Sequence, residues 1–169
     1  AIFREYDIRG VVPDQINDLS VKAIAKAVAI KCRSELVDEI ALGRDGRSSG
    51  NNLLQLLSRE LQSYGINVLN IGIVTSPLLY FAAKKIKSKS GIMITGSHNP
   101  KDYNGFKIVI NDMPVSGIEI LELISGELSD LKNSGNEVIK HNIMDEYINE
   151  VISMASSSKH PMKIVVDCG

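Results

Sequence analysis

Residues 91–110 read GIMITGSHNPKDYNGFKIVI. The apolar run at 91–94 predicts a short strand, and the apolar run at 106–110 predicts a second one. Between the two runs, Gly96 precedes Ser97, and a His-Asn-Pro run follows. This order displays a serine hydroxyl on a loop at the end of a strand, where it can meet a ligand. Because no helix separates the two strands, we expect them to pair antiparallel, which makes the sheet mixed.

Strands and helices alternate along the rest of the chain, which is typical of an α/β layer fold. Apolar residues spaced three and four apart predict amphipathic helices, with Ser20 and Ser76 as N-caps and Gly65 as a terminator. The predicted helices cover residues 20–36, 53–61, 77–87, 118–131 and 143–155. The other predicted strands cover residues 39–43, 66–71 and 162–167, and residues 1–10 are predicted to form an extended segment and turn.

Two of these strands end in polar loops. The strand at 39–43 leads directly into residues 44–47, which read Arg-Asp-Gly-Arg, and the strand at 91–94 leads into the Ser97 loop. Ligand sites in α/β sheets gather at the carboxyl ends of strands. We therefore expect both loops to face one crevice.

The Ser97 loop has competing interpretations. Its residue types favour ordinary turns for local reasons, so composition alone favours a turn. A hydrolase nucleophile elbow needs glycines where Thr95 and Asn99 stand, and neither a Walker P-loop nor a dinucleotide fingerprint is present. We expect the adjacent side chains of Ser97 and His98 to point apart, which argues against a catalytic pair.

Composition restricts the class of protein. The chain has 169 residues, 44% hydrophobic and 23% charged, with a net charge of −1. These values predict a globular domain, and the charge argues against a large basic surface for nucleic acid. No apolar run approaches the ~20 residues of a membrane span, and no secretory signal opens the chain, so a cytoplasmic location is expected. Cys32 and Cys168 lie far apart and are expected to be reduced thiols instead of zinc ligands or a disulfide.

The ends of the sequence suggest a segment of something longer. The chain starts at Ala1 without a methionine, and it stops at an apolar strand-like run, residues 165–169. Residues 156–161 are small and polar and end in proline, as linkers do. We therefore predict one domain over 1–155, followed by a linker and the first strand of a truncated second domain over 156–169.

Four motifs together resemble the alpha-D-phosphohexomutase family. Residues 95–107 resemble its phosphoserine loop, residues 3–10 (FREYDIRG) its N-terminal motif, residues 43–50 (GRDGRSSG) the segment between them, and residues 165–169 the opening of its second domain. The likeness is greatest to the first domain of the bacterial phosphomannomutase/phosphoglucomutase group. The resemblance implies a three-layer α/β/α domain whose mixed sheet is mostly parallel.

The resemblance also assigns roles to residues. Ser97 would carry the phosphoryl group and pass it to a hexose monophosphate, giving a hexose 1,6-bisphosphate, before recovering the other phosphate. The net reaction interconverts 1-phosphates and 6-phosphates. The implied catalytic set is Ser97, Arg9, Lys107 and His98, and the implied substrate- and phosphate-binding set is Tyr6, Arg44, Arg47 and Asn99. Without the resemblance, the arginines could equally form ion pairs with Asp7 or Asp45, and Lys107 could face solvent.

Other implied parts of the site are absent from this sequence. The resemblance implies one Mg²⁺ ion, which would touch this chain only through the Ser97 phosphate. The family's acidic metal loop, sugar-selecting loop and C-terminal phosphate loop do not occur here, which implies further domains (II–IV) of the same polypeptide. The 169 residues alone are therefore expected to be inactive, and the active protein to be a monomer.

Two other functions and the choice of sugar remain open at this stage. A single domain that binds phosphosugars or a partner without turnover is the main alternative, and a serine hydrolase is a weaker one. Mannose, glucose and glucosamine phosphates are all possible substrates, because the family's sugar-reading residues lie outside this sequence.

Overall fold

The computed structural model describes residues 2–128, 138–155 and 160–167. These residues form a seven-stranded sheet in the order β1-β5-β4-β2-β3-β7, with β6 beside β5. β2, β3, β4 and β7 run parallel, whereas β5 is antiparallel to β1, β4 and β6. The mixed sheet and the antiparallel pairing across the Ser97 loop are thus confirmed. The strands are β1 (Ile8–Val11), β2 (Glu39–Arg44), β3 (Asn67–Ile73), β4 (Gly91–Ile94), β5 (Tyr103–Ile110), β6 (Met113–Val115) and β7 (Val138–Lys140).

Helices cover both faces of the sheet, which makes the three layers that were predicted. They are α1 (Asp18–Ser34), α2 (Gly50–Ser63), α3 (Ser76–Lys85), α4 (Gly117–Ile124) and α5 (Met144–Met154). Successive strand residues point to opposite faces, so each central strand feeds two cores. In β4, Ile92 and Ile94 join the larger core with α1, α2 and α4, whereas Met93 joins the smaller core with α3. No helix in the described part of the chain is long and apolar enough to cross a membrane.

Helix ends agree with the predictions in part. Gly65 follows α2 in the left-handed region (φ 81°), as predicted. Ser20 was predicted to cap α1, but Asn17 is the cap: its side chain accepts from the Ser20 amide at 3.1 Å, and the Ser20 hydroxyl accepts in return from the Asn17 amide at 2.9 Å. Both residue types are good caps, and their spacing of three suits a reciprocal capping box. Likewise Thr75, not Ser76, is the N-cap of α3.

The prediction of a helix over 118–131 is too long. α4 ends at Ile124, and Gly126 follows, whose conformational freedom disfavours a helix interior. Residues 129–131 lie outside the described part of the chain, as do residues 156–159 of the predicted linker.

The strand predicted over 162–167, as the first strand of a second domain, is not formed in this structure. These residues form no regular element, and Val165 and Val166 are 95% and 77% exposed. A strand needs backbone hydrogen bonds from a neighbour, and no other described segment pairs with this one.

Candidate active site

Two loops meet at the carboxyl ends of β2 and β4, as the sequence predicts. Arg44 and Ile94, the last residues of these parallel strands, are register partners. Beyond them, the Asp45 amide donates to the Ile94 carbonyl at 3.0 Å. The Asp45 carboxylate accepts from the Thr95 hydroxyl at 2.8 Å and from the Gly96 amide at 3.2 Å. One carboxylate therefore joins the two loops.

Ser97 is exposed at the tip of the second loop, in an unusual backbone conformation. Its φ is +52°, in the left-handed region that costs a residue with a Cβ about 1–2 kcal/mol. The Ser97 amide donates to the Thr95 hydroxyl at 2.8 Å, which helps to hold this conformation. Strained backbone of this kind concentrates at functional sites. In the described residues it also occurs at four other non-glycine positions, Leu36, Lys89, Asn111 and Asp112.

His98 lies closer to Ser97 than the sequence predicts. The Ser97 Oγ atom is 3.4 Å from His98 Nδ1, at the long end of hydrogen-bond distances. The expectation that the two side chains point apart is wrong, because it assumed an extended backbone and Ser97 is left-handed. Both side chains are exposed, so each can also contact a ligand.

Asn99 shapes the loop from within. Its side-chain amide donates to the Gly96 carbonyl at 2.8 Å, and its backbone amide donates to the same oxygen at 3.0 Å. Asn104, which is fully buried on β5, links the base of the loop to the start of α2 through a 2.9 Å hydrogen bond to the Ser49 hydroxyl. Asn104 is not among the predicted site residues, since nothing in its local sequence pattern marks it as buried.

The two arginines of the first loop differ in their contacts. Arg44 Nη1 donates to the Asp45 carbonyl at 3.0 Å. The remaining N–H groups of the Arg44 guanidinium make no hydrogen bond with the described residues. Arg47 contacts Asp45 and four backbone carbonyls of the Ser97 loop. Both arginines were predicted to bind substrate or phosphate; among the described residues, Arg44 makes one guanidinium hydrogen bond, whereas Arg47 makes four.

A second cluster of charge lies on β1 and β5. Asp7 is buried, with 8% of its side chain exposed, and its Oδ2 atom accepts from the Arg9 guanidinium. Lys107 Nζ lies 4.0 Å from the same oxygen. The structure thus joins two of the predicted catalytic cations through one carboxylate. From the sequence alone, Asp7 is only a possible ion-pair partner of an arginine. Its position inside the FREYDIRG motif is the one sequence signal that could have marked it as a site residue.

Tyr6 lies at the mouth of a cavity of about 460 Å³ beside this cluster. The Tyr6 side chain is 80% exposed, and Lys107 lines the same cavity. Tyr80 and Lys84 of α3 and Pro114 of β6 also line it. Two aromatic rings, two cations and one acid, Asp112, thus line one concave surface that is large enough for a small polar ligand.

The described residues do not supply a metal site of their own. No group of three or more His, Cys, Asp or Glu side chains among them is placed to hold a metal ion. Asp45 is the acid bonded to the Ser97 loop, and both of its oxygens already accept hydrogen bonds, from Thr95, Gly96 and the Arg47 amide. An ion at Ser97 would need ligands from outside this part of the chain.

The fold is a three-layer α/β/α domain with a mixed sheet, the architecture of the first domain of phosphohexomutases. The chain belongs to the phosphoglucomutase/phosphomannomutase family, because the family model for alpha/beta/alpha domain I matches residues 1–129.

Similar proteins agree with this assignment. A phosphoglucomutase of Neisseria meningitidis serogroup B is 43% identical over 171 residues, which cover 99% of this chain and 37% of that protein. A phosphomannomutase/phosphoglucomutase of Pseudomonas putida is 39% identical over 170 residues, covering 100% of this chain and 36% of that protein. A crystal structure of a phosphoglucomutase/phosphomannomutase family protein from Burkholderia thailandensis matches 90% of this chain and 35% of its own, with a TM-score of 0.80 and 31% identity. The chain thus spans little more than a third of the length of these relatives.

Proposed function

We propose that this chain is the phosphoserine-bearing first domain of a phosphomannomutase/phosphoglucomutase and works within a longer polypeptide. The observation that supports this most is the presentation of Ser97: an exposed hydroxyl in a left-handed turn, on a loop whose backbone is held from several sides. A loop fixed in this way can offer the same oxygen repeatedly to a substrate.

The proposed reaction moves one phosphoryl group out and another back. The bond between phosphorus and Ser97 Oγ breaks as a bond forms to the free hydroxyl of a hexose monophosphate, and that hydroxyl loses its proton. The resulting hexose 1,6-bisphosphate reorients within the site. Its other phosphate then returns to Ser97, and the proton returns to the sugar oxygen that is released. The product is the 6-phosphate of a 1-phosphate substrate, or the reverse.

The cations have distinct parts in this proposal. Arg9 does not act as a base, because a guanidinium hardly deprotonates, so its part is to stabilise charge on the transferring group. Lys107 lies beside the same carboxylate and is the candidate for moving the proton, whereas His98 contacts sugar or phosphate next to Ser97. Arg44, Asn99 and Tyr6 complete the binding surface. Arg47 was predicted to belong to this surface as well.

Magnesium belongs to the proposal as well, bound at the Ser97 phosphate and held by acids of another domain, where it would neutralise negative charge on the transferring group. The substrates are mannose or glucose phosphates, with glucosamine phosphates left open. Domains II–IV would supply the rest of the site. The boundary at residue 155 stays a prediction, because the domain I match ends at residue 129 and α5, from 144 to 154, has no buried residue.

A coupled assay on the complete polypeptide tests the proposal. We expect glucose 1-phosphate or mannose 1-phosphate to be converted with magnesium present, and Ser97→Ala to lower kcat by roughly 10³-fold or more. Ser63→Ala, an exposed serine at the end of α2, is the matched control and should leave kcat unchanged. The isolated 169 residues should show no turnover.

The same assay separates the alternative function. A complete polypeptide that binds hexose phosphates without converting them would support a non-catalytic binding domain. Hydrolysis of simple esters that depends on Ser97 would support a hydrolase instead.

A further inference from the structure

The Arg47 side chain donates hydrogen bonds to four backbone carbonyls of the Ser97 loop. Its Nη2 atom donates to the carbonyl oxygens of Ser97 at 3.0 Å and Asn99 at 2.6 Å. Its Nη1 atom donates to the carbonyl oxygens of Pro100 and, at 3.0 Å, Tyr103. These four acceptors span the whole loop from the serine to the first residue of β5.

The remaining side of the guanidinium is held by Asp45. Arg47 Nε lies 3.3 Å from the Asp45 carboxylate, and the Arg47 amide donates to the same side chain at 3.0 Å. A guanidinium carries five N–H groups; here the four on Nη1 and Nη2 donate to loop carbonyls, and Nε lies in an ion pair with Asp45. Only 14% of the Arg47 side chain is exposed. A substrate phosphate would have to displace at least one loop carbonyl to accept a hydrogen bond from Nη1 or Nη2.

Gly96 shows how closely the loop lies on this group. A Cβ atom at position 96 would come within 2.4 Å of Arg47 Cζ and 2.5 Å of Arg47 Nε. The peptide at Gly96 therefore rests directly against the guanidinium, and no other residue type fits there without moving Arg47.

We infer that Arg47 is a positioning residue: its guanidinium is the template that holds the backbone of the Ser97 loop, and it is not a ligand of substrate phosphate. The inference rests on the proposed function of Ser97 for its kinetic consequence, and it replaces the role that the sequence predicts for Arg47. A planar group with donors in a fixed fork can hold four carbonyls at once, whereas the compact ammonium of lysine cannot.

Amide hydrogen exchange on the complete polypeptide tests the structural part without any assay of activity. The amides of Ser97, Asn99 and Tyr103 donate hydrogen bonds within the loop, so they report on its order. We expect Arg47→Lys to speed their exchange at least tenfold and to leave the amides of α1 and β2 unchanged. Arg59→Lys, an exposed arginine on α2, is the control and should change neither set.

Kinetics distinguish a template from a phosphate ligand. A template predicts that Arg47→Lys lowers kcat at least tenfold and changes KM less than threefold, because the serine is misplaced while substrate contacts remain. Unchanged loop exchange, or a raised KM with kcat intact, would overturn the inference. Absence of mutase activity in the unaltered protein would contradict only the proposed function, since the exchange comparison still stands.

A rescue experiment covers the case in which Arg47→Lys loosens the whole domain. In the Arg47→Ala protein, guanidinium ion added far below denaturing concentrations should restore slow exchange at Ser97 and Asn99, whereas equimolar ammonium should not. Equal effects of the two ions, or no effect of either, would contradict a template role.

Discussion

The hydroxyl of Thr95, just beyond the end of β4, donates a 2.8 Å hydrogen bond to the carboxylate of Asp45, just beyond the end of β2. The same hydroxyl accepts the Ser97 amide at 2.8 Å. Thr95, at the centre of this short chain of hydrogen bonds, is buried, whereas Asp45 is partly exposed. These hydrogen bonds connect the ends of the parallel strands β2 and β4 to the loop that presents Ser97.

Two substitutions of Thr95 distinguish the contribution of its hydroxyl group to stability from that of its methyl group. Thr95→Val keeps the shape but loses both hydrogen bonds, and we expect the free energy of unfolding to fall by about 1–3 kcal/mol. Thr95→Ser keeps both bonds and loses one methyl group, which costs about 1 kcal/mol or less. Urea unfolding of both variants provides the comparison. Equal losses would show that the hydroxyl has no structural role.

Asp7 should matter for catalysis although it is largely buried. Asp7→Asn removes the negative charge that both Arg9 and Lys107 contact. Hydrogen bonds to charged groups contribute about 1.5–3 kcal/mol, so we expect kcat of the complete polypeptide to fall roughly tenfold or more. Asp14→Asn, at an exposed position, is the control. A kcat equal to that of the control would mean that the two cations are held without Asp7.

The antiparallel pairing of β1 with β5 depends on the absence of a side chain at Gly105. A Cβ atom there would lie 2.0 Å from the Ile8 carbonyl oxygen, so Gly105→Ala must push the two strands apart. We expect the free energy of unfolding to fall by about 3 kcal/mol or more in urea denaturation. Gly46→Ala is the matched control, because nothing lies within 4 Å of its added Cβ. Similar losses at the two positions would contradict this packing.

Cys32 should make stability sensitive to alkaline pH. Burial raises the pKa of its thiol from 9.0 to about 12, because the thiolate is disfavoured inside the core. The unfolded chain releases this proton at lower pH than the folded one does. The contribution of Cys32 is therefore complete below pH 9.0 and is lost as the pH rises towards 12, at about 1.4 kcal/mol per unit.

Urea unfolding at about pH 8 and about pH 11 measures this loss. A Cys168→Ser background leaves Cys32 as the one thiol of the chain. Cys32→Ala in the same background should remove this part of the alkaline loss. An alkaline loss of the same size with and without Cys32 would contradict the burial of the thiol.

The sequence predicts most of the fold because its strands near the site are continuous apolar runs. β4 and β5 were found on both sides of Ser97, and the loop without a helix predicted their antiparallel pairing. β6 and β7 have three residues each, too few for a periodic pattern to show. The strand predicted over 162–167 is not formed in this structure, since strand formation depends on a partner that local sequence does not specify.

The site was predicted as a set of residues but not as a geometry. Ser97, Arg9 and Lys107 come from the resemblance, and the shared crevice comes from the order of strands and loops. The contacts of Arg47 with the Ser97 loop were not predicted. Its acceptors are backbone carbonyls, which every residue has, so the residue types of the loop do not reveal them. The closeness of Ser97 and His98 was missed because a serine rarely takes a positive φ, which only the folded loop reveals.

Phosphopeptide mapping of the complete polypeptide, purified from its natural source, tests the central claim most directly. The account predicts a mass of about 80 Da, one phosphate, on the peptide that contains Ser97. Incubation with a hexose monophosphate should exchange that phosphate with the sugar. An unmodified Ser97 in a protein that nevertheless interconverts hexose phosphates, or a phosphate carried on another residue, would contradict the account.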